Sequence, residues 1–196
     1  MASVSNIVSE DNHFTCTAQA FLPATATVPL IQTDDSKRQS LTVLVNVGDT
    51  VEEGQELARG EDISVHASVP GVVTGLQNCE YPNGRQGEAA IIALSGAFSY
   101  TGRRKHRRAW EESDDERLCE CFSRLGVVNT FCGCKSLAKQ LRSLHAKSAR
   151  LLVVRLFDDD PTRVVERFLA VHETEKLTEG IAIIARAMRA SGVVIA

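Results

Sequence analysis

The chain is 196 residues long, 43% hydrophobic and 24% charged, with a formal net charge of −3. Those proportions describe a globular chain with enough apolar surface for one ordinary core or two small ones, and the slight negative charge gives no reason to expect nucleic acid as a partner. No stretch approaches the ~20 apolar residues of a membrane span, so none is expected, and any attachment to a membrane would come through a partner. The N-terminus MASVSNIVSEDNHF has neither the basic nor the apolar region of a signal peptide. An intracellular chain is therefore expected, with its six cysteines present as thiols or ligands rather than disulfides.

Residues 1–20 read as a tail. Residues 21–98 read as β structure: LTVLVNVGDTVEEGQELARG, VHASVPGVVTGL and EAAIIALSG combine β-branched runs with regularly spaced turns. Short strands of about four to six residues are expected, arranged as a small barrel or sandwich. Gly48–Asp49 and Gly54 suit tight turns, and Pro70–Gly71 reads as a turn in which glycine takes a positive φ.

Residues 99–113 read as a charged linker. Six of the seven residues from 102 to 108 are basic or His, and an acidic cluster follows at 111–116. The basic run reads either as a nuclear signal or phosphate patch, or as a solvated connection whose charges partly neutralise the acidic ones. Ser113 is a cap candidate, with Glu116 as its capping-box partner.

Residues 114–196 read as α/β. A helix over 114–125 is closed by Gly126, and a second runs over 135–146. RLLVVRLFDDDP reads as a buried strand with a loop at its carboxyl end. Helical patterns follow through PTRVVERFLAV, with Pro161 at a first position, and TEKLTEGIAIIARAMRAS, with Thr174 as cap. Gly192 is read as the helix stop before the strand VVIA. Strand, helix and strand in that order predict a parallel crossover. A two-stranded parallel sheet is incomplete, so the chain reads as a fragment of a longer one or as a domain that borrows strands.

The segment FCGCKSL raises a metal question. Cys119 and Cys121 fall in a predicted helix, where residues two apart point about 200° apart and do not share a ligand. Cys132 and Cys134 remain weak metal candidates, because zinc favours two or more residues between paired cysteines. Cys134 also reads as a reactive thiol near a helix start, or as a small loop residue; Cys16 and Cys79 have no neighbours in sequence. Asp158, Asp159 and Asp160 follow a strand, where they either bind a ligand or serve the next helix. His66 and His145 have no nucleophile or base nearby in sequence, which leaves a hydrolytic reading without support.

VNVGDTVEEGQELA and VHASVPGVVTGL resemble the half-motifs that flank the carrier lysine of biotinyl and lipoyl domains. The intervening RGEDIS has no lysine, so the resemblance implies the barrel-sandwich fold without the swinging arm.

A wider resemblance covers residues 28–196. VPLIQ (28–32), VNVGDTVEEGQELA (45–58), VHASVPGVV (65–73), Trp110 at the opening of a helical segment, RLGVVNTFCGCKSLAKQL (124–141), VVRLFDDDPTRVVERFL (153–169) and EKLTEGIAIIARAMRASGVVIA (175–196) resemble, in order, the C subunit of the Rnf ion-translocating electron transport complex, RnfC. The A subunit of sodium-translocating NADH:quinone reductase, NqrA, has a similar layout, including an acidic D-x-x-P pattern like Asp158–Pro161. The NADH-binding subunit of respiratory complex I shares the α/β part alone.

The resemblance implies an N-terminal barrel-sandwich hybrid domain followed by a partial Rossmann-like domain. It implies integral-membrane subunits as partners and a cytoplasmic place on the inner face of the membrane. It places Gly133 and Lys135 in the loop that cradles FMN phosphate in the family, and Asp158 and Asp160 at the carboxylates that hold flavin and nicotinamide. That glycine-rich loop here keeps Gly133 alone, Arg155 stands at an asparagine position, and no C-x-x-C-x-x-C run for iron–sulfur clusters occurs. The site reads as degenerate and no cofactor is expected, with FMN the one the family implies. Three functions follow: a structural or docking subunit of such a complex, an FMN-dependent NADH dehydrogenase module, or a stand-alone barrel-sandwich binding module.

Overall fold

The computed structural model describes residues 22–30, 41–81, 84, 86–96, 109–130, 133–145, 150–156 and 165–196. The tail, the basic run, Cys16 and Pro161 lie outside these residues.

The first unit consists of two antiparallel sheets. One has the order β1 (Thr25–Pro29), β7 (Gln86–Leu94), β6 (Gly71–Glu80), β3 (Thr50–Val51); the other has the order β2 (Thr42–Val43), β4 (Glu56–Arg59), β5 (Ser64–His66). Their inner faces meet over Val28, Leu30, Val45, Val51, Leu57, Val65, Val73 and Ile92, all buried. The period-two alternation of these β-branched and aliphatic residues drives the arrangement, since each strand sends alternate side chains to the shared core.

Gly48 and Gly54 take positive φ angles of 98° and 80°, as their turns require. Several details differ from the sequence expectation: β2 and β3 are two residues long and β5 three. The strands β6 and β7 are 10 and 9 residues long, because a bulge between Val73 and Gly75 lets one hairpin bend and continue past the core. Gly71 does not adopt a positive φ; it begins β6, and a Cβ there would lie 2.0 Å from the Ala93 carbonyl oxygen. Glycine is needed at that position for close backbone approach.

The second unit contains α1 (Asp115–Arg124), a two-rung hairpin β8 (Val128–Asn129) with β9 (Lys135–Ser136), α2 (Leu137–Leu144), β10 (Leu151–Val154), α3 (Val165–His172), α4 (Thr174–Ala187) and β11 (Gly192–Ile195). Strands β10 and β11 pair in parallel, Leu151 with Gly192 through Val154 with Ile195, as strand, helix and strand in sequence predict. Leu118, Cys119, Leu141, Ala187 and Met188 form the core between the helices, with Trp110, Phe122, Leu152 and Ile183 packed on it. On one face of the small sheet Leu151, Val153 and Val194 are 57%, 60% and 45% exposed.

The helix ends correct several sequence readings. The N-cap of α1 is Asp114, whose carboxylate accepts from Arg117 N at 2.8 Å; the Ser113 N–H instead donates to the Trp110 carbonyl, closing a turn between Trp110 and the helix. Helix α2 is shorter than the pattern over 135–146, because the β8–β9 pairing claims Lys135 and Ser136 first. Thr174 does not cap α4. Its hydroxyl donates to the Ala170 carbonyl at 2.6 Å, linking α4 to the end of α3.

Gly192 starts a strand rather than stopping α4. The stop is Arg189, at φ 50°, with Ala190 N donating to the Ala185 carbonyl and Arg189 N to the Arg186 carbonyl. A non-glycine residue there is strained, and the Arg189 guanidinium, 2.7 Å from Asp115, ties the end of α4 to the start of α1.

Gly126 closes α1 as expected, at φ 65°. Val127 N donates to the Phe122 carbonyl and Gly126 N to the Ser123 carbonyl, the paired bonds of a Schellman motif. A Cβ on Gly126 would lie 2.2 Å from the Ser64 carbonyl oxygen of β5, so the same glycine brings the helical unit against the β unit. Gly126→Ala combines left-handed strain of about 1–2 kcal/mol with that clash; a fall in Tm of about 4–8 °C is expected by calorimetry.

Candidate functional site

Two places merit the name of site: the hairpin loop carrying Gly133 and Lys135, and the β4–β5 turn, where a carrier domain would bear its lysine. The structure brings them within reach of each other.

The β8–β9 hairpin pairs Val128 with Ser136 and Asn129 with Lys135. Gly133 lies in its loop at φ 105°, a conformation that side chains other than glycine rarely adopt. Lys135 is exposed and Cys134 half-buried. The loop thus holds Gly133, Cys134 and Lys135 together, while Cys132, Asp158 and Asp160 lie outside the described residues. Asn129 Nδ2 donates to Gln140 Oε1 at 3.0 Å, fastening the hairpin to α2.

The N-terminus of α2 is closed from within the chain. Leu137 N donates to the Val127 carbonyl at 3.1 Å, and Ser136 Oγ accepts from Lys139 N at 3.2 Å. Ser136 Oγ in turn donates to the Asp62 carbonyl at 2.6 Å. Ser136 is 1% exposed and Ala138 fully buried. A phosphate-binding helix start presents these first amides to a ligand; here two of the four have partners.

Asp62 belongs to the turn between β4 and β5, closed by Gly60 N donating to the Ile63 carbonyl at 2.7 Å. Its carboxylate pairs with Arg142 Nη1. Arg142 also donates from Nε to Glu116 Oε1 at 2.9 Å, so one guanidinium joins the turn, α2 and α1. Ile63 and Ser64 are 1% and 2% exposed. Neither Asp62 nor Ser136 stood out in the sequence. Ser136 stands as a cap signal before LAKQL, but nothing local marks its contact with Asp62, 74 residues away.

The thiols separate by environment. Cys79, Cys119, Cys121 and Cys134 are not in disulfides. Cys119 is fully buried on α1 and burial pushes its pKa up to about 11, which makes it a poor nucleophile at neutral pH. Cys121, two residues on, is partly exposed, as opposed directions on a helix require. Among the described residues no group of three or more His, Cys, Asp or Glu could hold a metal ion. His66 lies at the end of β5, and His145 caps α2, its Nε2 3.0 Å from the Ala187 carbonyl.

Beside the turn, Glu56 and Arg59 form an ion pair on β4. The Arg59 hydrogen bond holds the Glu56 carboxyl well below its usual value of 4.5, at about 2, against the opposing effect of burial. A carboxylate lowered by folding stabilises the fold above its unfolded pKa and loses that contribution as pH falls through the folded value. The stability difference between wild type and Glu56→Gln, followed by urea unfolding, is therefore expected to be constant above about pH 5.5 and to shrink between about pH 4.5 and 2. Ser136→Ala removes a cap and leaves the buried Asp62 carbonyl without its donor. A loss of about 2–3 kcal/mol in urea unfolding is expected, against less than about 0.5 kcal/mol for Ser143→Ala on the exposed side of α2.

No curated protein matches the chain. Residues 9–97 match the family model of the RnfC barrel sandwich hybrid domain, the segment in which the two packed antiparallel sheets lie. The chain carries an RnfC-like N-terminal barrel-sandwich hybrid domain.

Proposed function

We propose that this protein is a subunit of a membrane-associated, redox-driven, ion-translocating electron transport complex of the Rnf type, acting as a structural or docking part. The RnfC-type domain at residues 9–97 carries this reading. No helix among the described residues is long and apolar enough to cross a membrane, so the subunit would be held at the inner face by integral-membrane partners. The exposed apolar face of Leu151, Val153 and Val194 supports docking, because contiguous exposed apolar surface marks interaction sites.

The flavin and nicotinamide site is read as degenerate. Of the family's phosphate loop, Gly133 and Lys135 remain; Asp158 and Asp160 are the matching carboxylates. The start of α2, where a phosphate would seek free amides, has Ser136 and the Asp62 turn against it. No cofactor is assigned to the chain on this reading. A sodium-translocating NADH:quinone reductase subunit remains the alternative family, and an FMN-dependent NADH dehydrogenase module the alternative function.

Purification of the tagged full chain from detergent-solubilised membranes of its native cell tests the proposal. Recovery of integral-membrane electron transport subunits in fixed ratio, without flavin absorbance following this chain when it is separated from them, is expected. A chain that purifies alone with one FMN bound would replace the docking reading with the dehydrogenase one.

A further inference from the structure

The β4–β5 turn occupies the place where carrier domains of this architecture present a modified lysine to other active sites. In this protein that tip is turned inward. Ser136 Oγ holds the Asp62 carbonyl at 2.6 Å, and Arg142 holds its carboxylate. Ser123 Oγ lies 3.4 Å from the Glu61 carbonyl, and Gly126 is brought against Ser64. Contacts thus reach the tip from the end of α1, from β9 and from α2. Arg142 continues to Glu116 on α1.

The tip also stands near the buried thiol. Glu116, which accepts from Arg142, and Ser123, which meets the Glu61 carbonyl, stand three residues before and four residues after Cys119 on α1, on its face of the helix. Cys119 lies in the helical core with Leu118 and Leu141, one turn from Ser123 and Glu116 along α1. The side of α1 that carries Glu116 and Cys119 is therefore the side on which Arg142 and the β4–β5 tip close.

We propose that the β4–β5 tip is an intramolecular latch: Asp62, gripped by Ser136 and Arg142, holds the barrel-sandwich unit against the Cys119 side of α1. The latch makes the carrier position unavailable to outside partners and sets how the helical unit sits on the barrel sandwich. It is held by polar contacts at one turn, with an arginine that is one-third exposed. Local opening of this kind occurs below the free energy of global unfolding.

Pulsed alkylation with iodoacetamide under native conditions, read by peptide mass spectrometry, tests the latch. The full chain is compared with Asp62→Asn, Arg142→Met and Ser136→Ala. Cys79, on β6 in the other unit, is the internal reference. In Asp62→Asn and Arg142→Met, Cys119 is expected to label at least tenfold faster than in wild type, with Cys79 unchanged. Ser136→Ala, which also weakens α2, is expected to do at least as much. Circular dichroism of each variant separates latch opening from failure to fold, and a variant that does not fold is replaced by Asp62→Glu, which keeps the charge but not the reach. Labelling of Cys119 that stays at the wild-type rate in folded variants, or that rises in step with Cys79, would overturn the proposal.

Discussion

The contact between the two units centres on one turn, with Asp62 at its middle. Asp62 presents its carbonyl to Ser136 and its carboxylate to Arg142, and these contacts join two units whose apolar cores are otherwise separate. A hydrogen bond to a buried carbonyl is worth about 1 kcal/mol net, but leaving that carbonyl unpaired costs about 1–3. The asymmetry explains how a few polar contacts define a docking geometry: the alternative orientations lose more than the native one gains. Ser136 adds to this by serving two structures at once, as the cap of α2 and as the donor to the turn. Gly126 has a similar double role, ending α1 and letting β5 approach.

The barrel-sandwich unit was legible because its determinants are local. Glycines at 48 and 54 sit where the turns need positive φ, and short apolar and β-branched runs lie between turn residues, so composition and turn chemistry recover the β region. The parallel pairing of β10 with β11 was legible for the same reason, from two apolar runs separated by helical pattern. The lengths of β6 and β7 were not, because a bulge between Val73 and Gly75 leaves no compositional mark. Gly71 stands in a Pro–Gly pair, yet the need for glycine there comes from Ala93 across the sheet.

Helix ends show the same division. Gly126 announced itself, since glycine after an amphipathic segment is a common stop. Arg189 did not, because a strained arginine at a helix end is explained only by Asp115, 74 residues away in the chain. Asp114 displaced Ser113 as cap by one position, within the range where neighbouring polar residues compete. At the candidate site, Gly133 and Lys135 were reached through family resemblance, whereas Asp62, Ser136 and Arg142 came from tertiary contacts. Within FCGCKSL, Lys135 and Ser136 form β9, and Ser136 fastens the two units.

A chain with an RnfC-type domain and a latched tip would act through how its surfaces are placed, which suits the proposed docking role. The two units are expected to behave as one body joined at Asp62. Differential scanning calorimetry of the full chain measures this most directly. A single transition with calorimetric and van't Hoff enthalpies in agreement is expected. Two separate transitions in the wild-type protein would contradict it, since they would mean that the turn at Asp62 does not couple the barrel sandwich to the helices.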